Sequence, residues 1–169
     1  MKNRPKLTLI FLFMAAMGFT SCLKKEQYPI EPAIKWESYS VLRDGKGYDS
    51  ISYLKISYTD GDGDIGLYDS DTVAPYKYNF FVKMFQMKNG SLKEIIFPDT
   101  NLNFNGRIPL LTPTGRNKNI KGEIEMMIEL YFARPVLVSD TIAFDLYLMD
   151  RALHKSNIVS SPLLTVRKP

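Results

Sequence analysis

The sequence predicts an all-β protein, an antiparallel β-sandwich of about seven to eight strands over residues 33–169. Three observations predict this class. Apolar and polar residues alternate with a period of two over short runs, turn residues such as Gly, Asn, Asp and Pro separate the runs, and no run keeps a helical period. Apolar residues make up 45% of the chain and charged residues 24%, which is typical of a globular protein with a buried core.

Eight segments carry the alternating pattern, and their spacing is typical of an immunoglobulin-like sandwich. In chain order they are 34–42, 51–59, 76–87, 92–97, 104–111, 120–131, 141–149 and 158–166. Two of them contain a proline, Pro109 in the fifth and Pro162 in the last. Because proline cannot donate to a strand ladder, we expect these two segments at a sheet edge or a bulge.

The segment 120–131 is open to two interpretations, a helix or a half-buried strand. Ile124 and Ile128 share one face with the other apolar residues, and Glu125 lies on the opposite face. The strict period of two and the presence of Gly122 favour the strand.

The first 21 residues have the layout of a signal peptide. Lys2, Arg4 and Lys6 form a basic start, and an apolar run of 13 residues follows at 7–19. A membrane span needs about 20 apolar residues, so this run fits the core of a signal peptide better. The tetrad FTSC, which ends at Cys22, resembles a bacterial lipoprotein lipobox. We therefore expect cleavage before this cysteine and lipidation of its thiol, with an ordinary signal peptide and an incidental cysteine as the alternative.

Cys22 is the only cysteine of the chain, so the exported protein is expected to have no intramolecular disulfide. A lone thiol is reactive in an oxidising compartment, whereas a lipidated one is not. Its acyl chains would hold the protein to a lipid bilayer. Residues 22–32 include Pro29 and Pro32 and are predicted to form a short, semi-extended tether before the folded domain.

The charge balance excludes one class of partner. The formal net charge is +4, but three of the 22 basic residues lie in the predicted signal peptide, which has no acidic residue. The remainder carries 19 basic and 18 acidic side chains and is close to neutral. We therefore expect no nucleic-acid partner.

The densest chemical signal is the sequence DGDGDIG, which begins at Asp60. Asp60, Asp62 and Asp64 place three carboxylates within five residues, and these repel one another without a counter-ion. The glycines between them allow a tight backbone turn, and anionic oxygen ligands suit Ca²⁺. We predict a calcium site formed by these three aspartates, with Asp69 and Asp71 close enough in sequence to complete the shell of ligands.

The predicted site is not an EF-hand. Its aspartates match the first, third and fifth positions of that loop, but Ile65 replaces the glycine and Asp71 replaces the final glutamate. The segment before the loop is a strand rather than a helix. The alternative to an ion site is a polar, hairpin-like connection whose charges are solvated.

A second loop is predicted to lie beside the first. In an immunoglobulin-like sandwich, the loop after the second strand and the loop before the last strand lie at the same end. The latter is DRALHKSN at 150–157. Asp150 shares the parity of Leu146 and Leu148, so we expect it to point inward as a further metal ligand, and we expect Asn157 to support the loop. A plain polar turn is the alternative.

The sequence predicts that the protein is not an enzyme. His154 is the only histidine and has no partner cysteine, and nucleotide-binding, hydrolase and metalloprotease motifs are absent from the sequence. Glu123, Glu125 and Glu129 are the carboxylates that a glycoside hydrolase could use. Their alternation on the outward face of a strand favours a solvated surface instead.

Four stretches resemble a family of uncharacterised bacterial lipoproteins with an immunoglobulin-like β-sandwich. They are YTDGDGDIGL at 58–67, GRIPLLTP at 106–113, KGEIEM at 121–126 and DRALHKSN at 150–157. The resemblance covers most of the chain after the tether and implies the fold and the lipid anchor, but no activity. By similarity to Gram-negative lipoproteins, Leu23 in place of an aspartate implies the outer membrane.

Together, these patterns predict a lipid-anchored binding or interaction module of the bacterial envelope, stabilised by calcium, with a protein or glycan partner. One alternative is an accessory subunit of an envelope complex, in which exposed aromatic residues such as Phe81 and Phe85 contact the partner. The other is a small glycan hydrolase, which would need two carboxyl groups about 5 to 10 Å apart in a cleft.

Overall fold

The computed structural model describes residues 26–99, 101–111 and 119–169. The predicted signal peptide, Cys22 and the first residues of the tether lie outside the described residues. Within these ranges, no helix is both long and apolar enough to span a lipid bilayer.

Eight strands in the described residues form two antiparallel sheets, so the predicted all-β sandwich is confirmed. In chain order the strands are β1 (Ala33–Arg43), β2 (Asp49–Asp60), β3 (Phe80–Lys88), β4 (Ser91–Glu94), β5 (Ile120–Ile128), β6 (Thr141–Leu148), β7 (Val159–Ser160) and β8 (Leu164–Thr165). The three-stranded sheet has the order β1-β2-β5. The five-stranded sheet has the order β4-β3-β6-β7, and β8 also pairs with β6.

This strand order is immunoglobulin-like. In that fold, strands A, B and E form one sheet and strands C, F and G form the other. β1, β2 and β5 correspond to the first set, β3, β6 and the pair β7 and β8 correspond to the second, and β4 extends the second sheet beside β3. The connection after β2 and the connection after β6 therefore lie at the same end of the sandwich.

The core lies between the central strands of the two sheets. Leu54 and Ile56 of β2 and Phe144 and Leu146 of β6 are fully buried in one cluster. The alternation in the sequence produces this arrangement, because successive side chains of a strand point to opposite faces. Burial of each of these side chains stabilises the fold by about 1.5–3 kcal/mol.

One predicted strand is shorter than the sequence pattern suggests, and another is not formed. Residues 76–79 precede β3 outside the sheet, and the side chain of Asn79 binds the segment 104–111. Its Oδ1 accepts from the amide of Ile108 at 2.7 Å, and its Nδ2 donates to the carbonyl of the same residue at 3.3 Å. Residues 104–111 contact the sandwich through isolated bridges at Gly106 and Pro109 and do not form a strand.

The last predicted strand is divided into β7 and β8 around Pro162. Before the break, the Ser161 hydroxyl accepts a hydrogen bond from the amide of Phe144 at 2.9 Å. This side-chain contact substitutes for the ladder that proline interrupts. The interruption confirms the expected bulge or edge position of Pro162.

β5 is an outer strand of the three-stranded sheet, and the strand interpretation of this segment is confirmed. Ile124 and Ile128 are buried, whereas Glu123 and Glu125 are exposed. Lys55 of the neighbouring strand lies 3.0 Å from Glu123. The chain then leaves the sheet through a short 3-10 helix, Leu130–Phe132.

Candidate cation site at one end of the sandwich

The turn after β2 is closed on Asp60, the last residue of that strand. Its Oδ2 accepts hydrogen bonds from the backbone amides of Asp64 at 2.9 Å and Ile65 at 3.2 Å. Gly63 has a φ of 71°, a left-handed conformation that favours glycine. The side chain of Asp60 therefore acts as the acceptor around which the loop folds.

The loop is fixed at its far end by apolar burial. Ile65 is fully buried and Leu67 is nearly so. The amide of Leu67 donates to the carbonyl of Ile108 at 2.9 Å. Ile65, which breaks the EF-hand pattern, is thus a core residue that anchors the loop.

Three carboxylates converge in this loop. One oxygen from each of Asp60, Asp62 and Asp64 lies within 4.8 Å of the others. Asp60 is 0% exposed, and the other two aspartates are half-buried. The Oδ1 atom of each of the three is buried and has no hydrogen-bond partner among the described residues. Buried polar atoms are normally satisfied, so three unpaired acceptors in one loop make its negative charge unfavourable.

The electrostatics of the loop lead to the same conclusion. Burial raises the pKa of Asp60 to about 6, and the neighbouring carboxylates of Asp62 and Asp64 add to the effect. Burial also raises the pKa of Asp64 to about 6, with contributions from Asp150 and Asp62. The charged forms of both groups are thus less favourable than that of an exposed aspartate, although the Arg151 guanidinium acts in the opposite direction on the pKa of Asp64.

The loop after β6 packs against the aspartate loop, as the topology predicted. The amide of Ala152 donates to Oδ2 of Asp64 at 3.2 Å, and the amide of Arg151 donates to the carbonyl of Asp64 at 3.4 Å. The Nη1 of Arg151 donates to the carbonyl of Gly66 at 2.7 Å. Its guanidinium also lies 5.0 Å from the ring centre of Tyr68. The juxtaposition of the two loops is confirmed.

Asp150 lies in this second loop but outside the converging group. It is 1% exposed, and its carboxylate accepts from the amide of His154 at 2.7 Å and contacts the Nδ1 of His154 at 3.0 Å. These contacts hold a turn in which Leu153 has a φ of 68°, an unfavourable conformation for that side chain. The hydrogen bond with Asp150 raises the pKa of His154. Asp150 thus stabilises the turn of its own loop.

Asn157 supports the same end of the sandwich by a different contact from the one expected. Its Oδ1 accepts from the amide of Ile34 at 2.8 Å, and its Nδ2 donates to the carbonyl of Ile34 at 2.9 Å. The residue therefore fixes the start of β1 against the loop after β6.

Asp69 and Asp71 are not brought into the converging group. Asp69 is exposed, and Oδ2 of Asp71 accepts from the amide of Tyr68 at 2.9 Å. Arg107 binds the backbone of this part of the chain. Its guanidinium donates to carbonyls of the long connection between β2 and β3, namely those of Tyr68, Asp71, Tyr76 and Lys77.

Arg107 and Arg151 are the residues that sequence reasoning missed. Arg107 lies in the segment 104–111, where no pattern in the sequence marked it as a contact residue. Arg151 follows Asp150 directly at the end of a strand, and this position beside the aspartate loop was the signal that could have identified it. Phe81 and Phe85, which were expected to be exposed aromatic contacts, are half-buried. The rings of Phe81 and Tyr147 stack with their centres 4.6 Å apart.

Of the carboxylates considered for glycan hydrolysis, Glu123 and Glu125 are exposed and Glu129 is half-buried. Three open clefts of about 380, 320 and 320 Å³ are each lined by one carboxylate side chain, Glu94, Glu123 and Glu129, respectively. Glu94 and Glu123 are each paired with a lysine at 3.0 Å. None of these three clefts presents the two carboxyl groups that glycoside hydrolysis requires.

No family model, no curated protein and no solved structure matches this chain.

Proposed function

We propose that this protein is a lipid-anchored, non-catalytic binding module of the bacterial envelope, and that its aspartate loop holds a Ca²⁺ ion. The observation that carries the proposal is the convergence of Asp60, Asp62 and Asp64, each with a buried Oδ1 that lacks a hydrogen-bond partner among the described residues. Buried charges are retained when they are paired or when they coordinate a metal.

A cation satisfies this group better than a proton does. A proton shared between Asp60 and Asp62 would serve two of the oxygens. The oxygen of Asp64 lies within 4.8 Å of the other two and would stay uncompensated. One divalent ion can contact all three carboxylates at once and neutralise most of their charge.

The ligand chemistry favours Ca²⁺ among divalent ions. Carboxylate, carbonyl and water oxygens suit Ca²⁺, Mg²⁺ and Mn²⁺, whereas zinc sites are typically built from thiolate and imidazole. Two oxygens that bind one Ca²⁺ at about 2.3–2.6 Å lie at most about 5 Å apart, which fits the spacing of up to 4.8 Å. Mg²⁺ binds at about 2.0–2.1 Å in a strict octahedral geometry and usually keeps several water ligands, so a cluster of protein carboxylates suits it less well.

The surroundings of the cluster are those of a structural site. The partnered carboxylate oxygens bind backbone amides: Oδ2 of Asp60 binds within its own loop, and Oδ2 of Asp64 binds Ala152 in the neighbouring loop. An ion on the remaining oxygens would therefore tie both loops and the end of β2 together. Its role is to rigidify that end of the sandwich.

The envelope location is supported by the N-terminal sequence. The basic start, the apolar run of 13 residues and the FTSC tetrad indicate export and lipidation at Cys22, and Leu23 favours the outer membrane. Fractionation of cells that express the wild type or C22S tests this anchor, since loss of the lipid should move the protein out of the membrane fraction.

A specific observation also favours the accessory-subunit alternative. An open cleft of about 380 Å³ is lined by the aromatic side chains of Phe81, Phe97 and Phe104 together with polar residues such as Lys83 and Asn105. The side chain of Ile96 beside it is 80% exposed. Exposed apolar surface of this kind is typical of contacts with another protein. Capture of a defined envelope complex that is lost on I96D would favour this alternative over a free-standing binding module.

Thermal unfolding in Ca²⁺ and in EGTA tests the ion site. A ligand at 100 times its Kd that binds only the folded state stabilises it by about 2.7 kcal/mol. For a domain of about 150 residues this corresponds to a rise in Tm of about 5–10 °C. We expect the wild type to show this rise and D62N to lose most of it.

D69N is the matched control, because it removes an exposed aspartate of the same connection that lies outside the converging group. It should keep the full response to Ca²⁺. Equal melting curves of the wild type in Ca²⁺ and in EGTA would exclude the ion site.

A further inference from the structure

The segment that enters the domain from the tether lies directly on the aspartate loop. Gly61 stands between two of the proposed ligands, Asp60 and Asp62. A Cβ atom added at Gly61 would lie 2.3 Å from the carbonyl oxygen of Tyr28 and 2.5 Å from that of Pro29. No side chain fits at this distance, so the glycine permits a close approach between the backbone of the tether and the backbone of the loop.

The same segment is fixed on its other side by the start of β5. The amide of Tyr28 donates to Oδ1 of Asn119 at 3.1 Å, and Nδ2 of Asn119 donates to the carbonyl of Glu26 at 2.7 Å. The Nζ of Lys121 lies 2.7 Å from the carboxylate of Glu26. Residues 26–29 are therefore docked between β5 and the aspartate loop.

The two sides of this docking site are connected through the sheet. Asp60 is the partner of Ile120 in the pairing of β2 with β5. The neighbours of Ile120 are the two residues that bind the tether, Asn119 and Lys121. A change in the position of the loop at Asp60 and Gly61 thus acts on the tether from one side while β5 holds it from the other.

We propose that cation binding to the aspartate loop and docking of residues 26–29 are coupled, so that the occupied loop holds the tether on the domain and the empty loop releases it. This inference rests on the proposed Ca²⁺ site. Besides the convergence of the three carboxylates, the site contains Asp60 at 0% exposure, and the Oδ1 of this residue has no partner among the described residues.

The physical cause is the repulsion among the three carboxylates. Without a cation these groups separate, the loop widens, and the backbone at Gly61 moves from the position that receives the carbonyls of Tyr28 and Pro29. With the cation the loop is drawn together and the contact surface is restored. Coupling is reciprocal, so the docked tether strengthens cation binding by the same factor, which for coupled sites is typically about 5- to 150-fold.

Two measurements on the full chain in detergent test the coupling. Calorimetry gives the Kd for Ca²⁺, and hydrogen exchange gives the protection of the Tyr28 amide, which donates to Asn119. In the wild type we expect Ca²⁺ to slow this exchange by about 10-fold relative to EGTA. We expect G61A to bind Ca²⁺ about 10-fold more weakly and to exchange the Tyr28 amide rapidly under both conditions.

G45A is the matched control for the glycine substitution, since a Cβ at Gly45 meets nothing within 4 Å. It should behave as the wild type in both measurements. N119A provides a second test that does not depend on how the aspartate loop tolerates a new side chain. It detaches the tether from the β5 side and should weaken Ca²⁺ binding by the same factor as G61A.

The outcomes separate the coupling from the ion site. Tight Ca²⁺ binding by the wild type, with equal exchange of the Tyr28 amide in Ca²⁺ and EGTA and an unchanged Kd in N119A, would overturn the coupling and leave the ion site standing. Absence of Ca²⁺ binding by the wild type would overturn both.

Discussion

Strand β2 begins and ends with a buried aspartate, and the two ends differ in how that charge is compensated. At its start, Asp49 is 2% exposed, and each carboxylate oxygen has a partner. Oδ1 accepts from Nε of Arg43 at 3.1 Å, and Oδ2 accepts from the amide of Arg167 at 2.9 Å. Arg134 donates to the backbone carbonyl of Asp49 at 2.9 Å. The protein supplies its own positive charge at this end.

At the other end, Asp60 is equally buried but has only backbone amides on one oxygen and no partner among the described residues on the other. Its nearest charged neighbours are the carboxylates of Asp62 and Asp64. The contrast teaches that the fold can compensate a buried aspartate with arginine and does not do so here. The proposed Ca²⁺ ion would supply the positive charge at this end.

The largest expected effect follows from D60N. The amide keeps the size of the side chain and can still accept from the loop amides, but it removes the buried charge. We expect the variant to lose the stabilisation of about 2.7 kcal/mol that Ca²⁺ provides at 100 times its Kd. In EGTA it should melt above the wild type, because the carboxylate repulsion is reduced. Thermal unfolding of both proteins in Ca²⁺ and in EGTA measures the two effects, and a full Ca²⁺ response in D60N would show that Asp60 is not a ligand.

D49N should give the opposite pattern at the start of the strand. It removes the charge that Arg43 faces and weakens hydrogen bonds whose contribution is about 1.5–3 kcal/mol when one partner is charged. We expect a loss of about 2 kcal/mol in urea unfolding, the same in Ca²⁺ as in EGTA. A loss that appears only in EGTA would indicate that the two ends of β2 are not independent.

The smallest expected effect is a difference in pH dependence. In EGTA the folded-state pKa values of Asp60 and Asp64, both about 6, exceed the unfolded value of about 3.9. The folded protein thus binds more protons than the unfolded protein between these values, and its stability should rise as the pH falls through 6. In saturating Ca²⁺ this rise should disappear, because the bound ion keeps both carboxylates ionised in the folded protein, and stability should fall only as the pH drops through the unfolded value of about 3.9.

His154 contributes in the same direction in EGTA. Its raised pKa adds stability that is present below the unfolded value of about 6.5 and is lost as the pH rises through the folded value. H154Q separates the two contributions, because it should leave the aspartate part of the profile in place. Identical pH profiles of the wild type in EGTA and in Ca²⁺ would contradict the assignment of the aspartates as ion ligands.

The fold and the position of the aspartate loop were predictable from local patterns. Alternation in β2 and β6 identified buried residues such as Leu54 and Phe144, because a strand with one core face has a period of two. The same reasoning placed the loop after β6 beside the aspartate loop, where Ala152 contacts Asp64. Both conclusions depend on chain order and side-chain parity, which the sequence contains.

Contacts between distant segments were not predictable in this way. Asp69 and Asp71 are close to the cluster in sequence but lie outside the converging group. The carbonyl of Asp71 is bound instead by Arg107, which lies 36 residues further along the chain. The sequence assigns Gly61 to a tight backbone turn, whereas in the structure it also permits the close approach of the tether backbone. A lone arginine or glycine carries no signal of which distant backbone it will meet.

The open edge of β5 has a consequence for how copies of this protein meet one another. If two such edges pair antiparallel with all nine residues in register, Ile124 lies at the centre and Glu123 of one copy stands opposite Glu125 of the other. Like charges directly opposite one another destabilise a strand pair, and charged edges prevent sheet-to-sheet association. Lys55 forms its ion pair with Glu123, and Glu125 forms no ion pair among the described residues, so Glu125 contributes most to this repulsion. The edge of β5 is thus protected against pairing with the same edge of a second copy.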